Sequence, residues 1–198
     1  GHPLDDYRIE VNNFCNITLD KLSDLSKING KEIKVAGVVS EGTHAQSKKG
    51  NPYGKILLEG YSDSYEFVFF SEDYAKFKGY IQKGFYLFIG GKVQQRHWNQ
   101  DEYEVKIHQI HLLNEVKEKM AKGLLIQAES TDFTPELINE LDNVFEKYQG
   151  NFPVSMNVID REESIKINLR SRTKKVNLEN DLINELQSIP EVSCKIMA

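Results

Sequence analysis

Tyr65-Glu66-Phe67-Val68-Phe69-Phe70-Ser71-Glu72-Asp73-Tyr74-Ala75-Lys76-Phe77-Lys78-Gly79-Tyr80 is the stretch on which the fold of this chain turns. Tyr65, Phe67 and Phe69 alternate with Glu66 and Val68, the period of a strand with one buried face. Because that face is wholly apolar, the three aromatics are expected in a core and not on a base-stacking platform. At Ser71 the pattern changes to a hydroxyl, two acids and helix formers. Ser71 is therefore expected to be the N-cap, Glu72 and Asp73 the acidic first turn, and Tyr80 about the end of the helix.

Moving outward, the flanks are strand-like. Ile33, Val35, Gly37 and Val39 alternate with Lys34, Ala36, Val38 and Ser40, with Gly37 expected at a bend or bulge. Ser47-Lys48-Lys49-Gly50-Asn51-Pro52 reads as a basic turn, and Tyr53 to Glu59 as a second strand. Gly54, Ile56 and Leu58 should face inward, leaving Tyr53, Lys55 and Leu57 outward. Phe85 to Gln95 and Tyr103 to Leu113 read as two more strands joined through His97-Trp98-Asn99-Gln100-Asp101. Three strands, a helix, then two strands is the order of a five-stranded OB-type Greek-key barrel over residues 31–113. The helix between the third and fourth strands sets it apart from a sandwich or an SH3-like barrel.

Residues 1–30 read as an N-terminal helix, with Leu4, Tyr7 or Arg8, Val11 and Phe14 near helical spacing, followed by a polar connector from Ser23 to Gly30. Residues 114–121 read as a linker helix. Residues 122–198 read as a small βαββαβ-like α+β domain: a strand at Leu124 and Ile126, a helix opened by Thr134-Pro135-Glu136, and a hairpin around Asp160-Arg161-Glu162-Glu163. A second helix on Leu178, Leu182, Ile183, Leu186 and Ile189 and a last strand follow. Leu137, Ile138, Leu141, Phe145 and Tyr148 are the expected buried stripe of the first helix. Glu136 to Leu141 is echoed by Asp181 to Leu186, as if a strand-helix-strand unit were used twice.

The 198 residues carry 25 Lys+Arg against 30 Asp+Glu, a net charge of −5 that opposes a polyanion. By segment, residues 1–30 carry three bases and five acids, residues 31–113 eleven and ten, and residues 122–198 nine and thirteen. Only the barrel segment does not repel a phosphate backbone. Cys15 and Cys194 stand apart in sequence, which excludes a disulfide scaffold or a Cys-ligated zinc finger. They fit a reducing, cytoplasmic compartment. No apolar run approaches the roughly 18 residues of a membrane span and no signal peptide is present, so no membrane partner is expected. The chain lacks an initiating Met, so it is expected to be a piece of something longer.

No catalytic constellation occurs: no phosphate-binding Gly loop, no G-x-S-x-G, no H-E-x-x-H and no paired aspartates for two metal ions. His108 and His111 point to opposite faces of a strand and cannot share a metal, so no metal site is expected. A different chemistry is available at the barrel rims. Lys34, Lys48, Lys49, Tyr53 and Lys55 cluster around the first loop, and Arg96, His97 and Trp98 occupy the last. In an OB barrel these two loops flank the nucleic-acid groove. Lysines neutralise phosphates and planar rings stack on bases, so these eight residues are the candidate nucleic-acid site. Trp98 is equally compatible with packing on the barrel.

The segments, taken in order, resemble the bacterial DNA polymerase III alpha subunit. The strings are Lys34-Val35-Ala36-Gly37-Val38-Val39, Lys48-Lys49-Gly50, Leu58-Glu59, Glu66-Phe67-Val68-Phe69-Phe70, Tyr74-Ala75-Lys76-Phe77 and Gly91-Lys92-Val93 with Arg96. Gly1-His2-Pro3-Leu4-Asp5-Asp6-Tyr7 resembles the stretch preceding the OB domain in that family, and residues 122–198 resemble its C-terminal domain. The resemblance implies a non-catalytic C-terminal piece of a replicative DNA-directed DNA polymerase, a nucleotidyltransferase of the replisome. Its OB domain would hold single-stranded template DNA, and residues 122–198 would dock the tau subunit of the clamp loader. The catalytic aspartates with their Mg2+ and the main sliding-clamp motif would lie in the parent outside these residues. Gln109 to Leu113 resembles a clamp-binding pentapeptide only faintly and sits on a strand. Two departures stand out: the acidic-x-x-Gly turn reads Gly60-Tyr61-Ser62-Asp63, and Lys55 replaces an apolar residue. A free-standing OB-fold protein binding single-stranded nucleic acid, an anticodon-binding type of module, or a barrel that binds only protein are the competing expectations.

Overall fold

The computed structural model describes all residues from Gly1 to Ala198 and divides into two compact units, Gly1–Val116 and Lys117–Ala198. In the first, strands β1 (Glu32–Gln46), β2 (Pro52–Glu59), β3 (Ser64–Phe70), β4 (Tyr86–Arg96) and β5 (Asn99–Leu112) form one antiparallel sheet in the order β3-β2-β1-β4-β5. Helix α2 (Ser71–Phe77) and a 3-10 turn, Lys78–Tyr80, lie between β3 and β4. This is the expected OB topology. The sheet curls on itself, but β3 and β5 do not pair, so the barrel is open along one seam.

The inward alternation is as expected. Ile33, Val35, Val39, Ile56, Leu58, Phe67, Phe69, Leu87, Ile89 and Val93 form the core, with Phe77 of α2 beneath Phe69. Two local expectations fail. Ser71 does not cap α2: Phe70 occupies that position, and Ser71 has a positive φ of 47° that turns the chain from strand into helix within one residue. Gly37 is not the bulge. The register of β1 slips between Val39 and Glu41, while Gly37 lies where a Cβ would come within 2.5 Å of the Glu59 carbonyl. The glycine is needed for close approach of two backbones, not for a bend.

The N-terminal segment is built into the same unit. A 3-10 turn at Pro3–Tyr7 runs into α1 (Arg8–Phe14), with His2 accepting from the Leu4 N–H at 3.1 Å. The stretch before the connector reaches the barrel core through Leu19 and Leu22 of the 3-10 turn Leu19–Ser23, and Leu25 and Ile28 of the connector itself pack against that core. Tyr61 donates its hydroxyl to the Leu4 carbonyl at 3.0 Å, and its ring lies 4.7 Å from His2. The departing Gly60–Asp63 turn is thus held against the first residues.

Helix α3 (Val116–Met120) follows the barrel. The second unit has β6 (Gly123–Glu129), α4 (Pro135–Lys147), β7 (Gln149–Asp160), β8 (Ile165–Val176), α5 (Asn180–Gln187) and β9 (Ser193–Met197), giving the expected βαββαβ order. Thr134 caps α4, accepting from the Leu137 N–H at 3.2 Å, with Pro135 in the first turn. The sheet order is β8-β7-β6-β9, with β6 and β7 parallel. The internal echo is therefore not a repeat of one unit. β6 and β7 are neighbours, whereas β8 and β9 sit on opposite edges. The echoed strings share only a helical stripe, Leu137 and Leu141 matching Leu182 and Leu186. Ile138, expected in that stripe, is 53% exposed, and Val144 is buried instead.

Candidate nucleic-acid interface

A groove of about 690 Å³ runs along the open seam of the barrel. One wall is β3 with Glu66, Val68 and Phe70; the other is β5 with Tyr103, Glu104 and Lys106. Arg96, His97 and Trp98 close one end, and Ser71 to Asp73 at the start of α2 close the other. The gap between two unpaired strands is what leaves room for a ligand.

The rims are set by two turns. Ser47 and Asn51 are tied by a 2.8 Å backbone bond, and Asn51 N–H donates to the Ser47 hydroxyl at 3.1 Å. Gly50 has φ +80°, a conformation only glycine takes without strain, and it turns the loop over so that Lys48 and Lys49 stand exposed at the tip. Neither lysine has an ion-pair partner. At the other rim, β4 and β5 meet across Arg96 and Asn99, a tighter hairpin than the sequence implied, with His97 and Trp98 as its two-residue tip. Trp98 is 75% exposed, with the Arg96 guanidinium 5.7 Å from its ring centre. It does not pack into the barrel.

Tyr53 and Lys55 project outward from β2, as expected. Tyr53 stacks on Phe70 of β3 at 5.6 Å, and Lys55 pairs with Glu66 at 3.2 Å. Phe70 is 58% exposed and was not among the expected site residues. Its signal was in the sequence: if Tyr65, Phe67 and Phe69 point inward, the next residue is an aromatic on the solvent face. Tyr103, also absent from the expected set, lines the far wall.

Lys34 does not join this group. Its backbone N–H donates to the Asn16 side chain at 2.7 Å and its carbonyl accepts from the Asn16 N–H at 3.0 Å, so the chain after α1 lies alongside it. It does not line the groove, and neither do Lys48, Lys49, Tyr53 and Lys55; of the expected residues Arg96, His97 and Trp98 do. The electrostatics of the groove are mixed as well. Arg96 pairs with Glu102 at 2.8 Å and Lys106 with Asp73 at 2.9 Å, while Glu66, Glu72 and Glu104 also line the walls. Exposed pairs of this kind contribute only about 0.2–1 kcal/mol, so each is readily exchanged for a phosphate.

The thiols are partly buried. Burial pushes Cys15 up to about 12 and raises Cys194 as well, which keeps both protonated at neutral pH. Gln109 to Leu112 pairs along β4 from Gly90 to Leu87, and Ile110 and the following Leu113 are buried.

Residues 33–113 match the family described as OB-fold nucleic acid binding domain, and residues 124–197 match DNA polymerase III alpha subunit, C-terminal domain. In the order of these two segments the chain is similar to the C-terminal region of the DNA polymerase III alpha subunit. Among curated relatives, DNA polymerase III subunit alpha of Escherichia coli (strain K12) is 25% identical over 158 residues, which cover 79% of this chain and 13% of that protein. The protein of the same name from Pasteurella multocida (strain Pm70) is 26% identical over 154 residues, 76% of this chain and 13% of that one. The chain thus spans about an eighth of the length of these polymerase subunits. Among solved structures, a mitochondrial single-stranded DNA binding protein from S. cerevisiae aligns at TM-score 0.31 and 20% identity, covering 43% of this chain and 95% of that chain. Asparaginyl-tRNA synthetase from Pyrococcus horikoshii aligns at TM-score 0.35 and 13% identity, covering 52% and 23%. No helix of the chain is long and apolar enough to cross a membrane.

Proposed function

We propose that the barrel holds single-stranded template DNA and that the second unit docks a protein partner, the tau subunit of the clamp loader, with nucleotide transfer carried out by other parts of the parent polymerase. The observation that carries the DNA half is the open seam itself, lined by Arg96, His97 and the exposed Trp98, with unpaired Lys48 and Lys49 on the turn leading into Tyr53, the register partner of Phe70 in the groove wall. Lys48 and Lys49 meet phosphates; Tyr53, Phe70 and Trp98 offer faces to bases; His97 and Arg96 line the approach. Lys55 and Arg96 contribute by exchanging Glu66 and Glu102 for phosphate. Stacking is worth roughly 1–3 kcal/mol per base, more than the exposed pairs that must open. Lys34 takes no part in this arrangement. In this reading the parent's catalytic aspartates and their Mg2+ lie outside these residues. Sliding-clamp binding is assigned there too, because Gln109 to Leu113 has its backbone engaged in the sheet.

The test is a salt titration of oligo-dT binding by the 198-residue chain. Weak affinity that falls as salt rises, with a shallower slope for Lys48→Ala/Lys49→Ala, is expected. Identical slopes would remove the loop from the site. The acid-lined walls favour one rival, a barrel that binds only protein. That rival predicts no salt-dependent binding of oligo-dT at all.

A further inference from the structure

Strand β8 is an outer edge of the second sheet, so one side of its backbone has no strand partner. Ile165, Ile167 and Leu169 alternate along it and are 49%, 50% and 51% exposed. Their register partners include Val158 opposite Ile167 and Met156 opposite Leu169, so this row continues the sheet face that β7 presents toward α4. Between β8 and α4 lies an apolar groove of about 520 Å³, with Met156 and Val158 as its floor, Leu169 on one side and Phe133, Ile138 and Leu141 on the other. Ile138 and Leu169, facing each other across it, are both about half exposed, while Leu141 is buried and Met156 and Val158 are half-buried.

The charge of β8 is the second observation. It carries Lys166, Arg170, Arg172, Lys174 and Lys175 and no acid, although residues 122–198 hold nine bases against thirteen acids. Lys174 is engaged by Asp142 at 2.7 Å and by Glu146 of α4. Lys166, Arg170, Arg172 and Lys175 have no ion-pair partner. A second copy of the chain added edge to edge would set these bases against their own kind, the standard means by which an exposed edge is kept from pairing with itself. A nucleic acid would meet the bases, but the exposed row on the same strand, Ile165, Ile167 and Leu169, is aliphatic and offers no ring for stacking.

We propose that the β8 edge and the α4–β8 groove receive an extended, acidic segment of a protein partner, added as a fifth strand. Its alternate apolar side chains enter the groove beside Ile167, Leu169 and Ile138, and its carboxylates face Lys166, Arg170 and Arg172. Main-chain pairing supplies affinity and the alternating side chains supply selectivity. This deepens the docking role assigned to the second unit and rests on it.

The experiment uses the 198-residue chain and a labelled synthetic peptide of alternating Glu and Leu or Val, compared with the same peptide carrying Lys for Glu and with oligo-dT. The acidic peptide should bind at least tenfold more tightly than the basic one and should slow amide exchange along β8. Ile167→Lys and Arg170→Glu/Arg172→Glu, all on exposed side chains, should each weaken it about tenfold with the fold intact by circular dichroism. Equal binding of the basic peptide, displacement by oligo-dT, or binding untouched by these variants would overturn the proposal, as would dimerisation through β8 seen by sedimentation. The purified tau subunit separates the two levels. If tau binds the wild type and the variants equally, the edge-strand proposal fails and the docking role stands. If the peptide binds at β8 and tau does not, the docking assignment fails and the edge-strand proposal stands.

Discussion

The barrel groove and the β8 edge invert the charges of the units that contain them. Residues 31–113 are the only segment with a slight excess of bases, yet the two bases lining the groove, Arg96 and Lys106, are held by Glu102 and Asp73, with Glu66, Glu72 and Glu104 beside them. Residues 122–198 have four more acids than bases, yet β8 presents four unpaired cations beside an apolar row. A ligand meets the local arrangement, not the sum. An ion pair in the open groove is weak and exchangeable, whereas an unpaired base on an edge strand is fully available to a partner.

The contrast breaks most readily at its apolar side. Leu186 of α5 is fully buried beneath the covered part of the second sheet, and Leu186→Ala should lower stability by about 2–5 kcal/mol in urea unfolding. Leu169→Ala on β8 should cost under about 1 kcal/mol, because half of that side chain already meets water. Similar costs for the two would mean that the β8 row is covered in solution. In the groove, Trp98→Ala should weaken oligo-dT binding by roughly 1–3 kcal/mol, measured by fluorescence anisotropy, without changing the urea midpoint. Unchanged affinity would take Trp98 out of the site.

Smaller effects sharpen the electrostatic contrast. Lys48→Ala/Lys49→Ala should flatten the salt dependence by roughly 0.7 for each phosphate no longer neutralised. Glu66→Gln releases Lys55 and should tighten oligo-dT binding a few-fold, and a loss of affinity would show that Glu66 positions Lys55 instead of competing with phosphate. The smallest effect concerns Lys174. Its hydrogen bond to Glu146 holds that carboxyl below its ordinary 4.5, and the pairs with Asp142 and then Glu146 raise the ammonium above 10.5. A depressed carboxyl contributes stability that is complete above 4.5 and is lost as pH falls through the lower folded value. A raised ammonium contributes stability that is lost only as pH rises above 10.5. Urea midpoints should therefore be flat in this respect at neutral pH, and Lys174→Met should reduce the decline below pH 4.5.

The sequence made the barrel legible because period-2 alternation and the inserted helix are local signals. Capping and bulging were less so: the carbonyl that Gly37 approaches and the sharp turn at Ser71 depend on neighbours far along the chain or on one residue's φ. Of the expected nucleic-acid residues, Arg96, His97 and Trp98 line the groove, whereas Lys48 and Lys49 do not and Lys34 lies beside Asn16, because nothing local announces which stretch will cover the outside of a first strand. Phe70 and the Ile165-Ile167-Leu169 row are readable by strict alternation. They are easily missed because an apolar residue is first assigned to the interior.

The placement of Leu19 and Leu22 bears on where this fold can be cut. They close one end of the barrel from a stretch that looks like a tether, and the Tyr61–Leu4 bond and the packing of Tyr7 on Tyr86 at 4.9 Å fasten the residues before them. The five strands are a sleeve, and its stopper is spelled upstream of the first strand. Grafted into another protein from Lys31 onward, the sleeve would arrive uncorked.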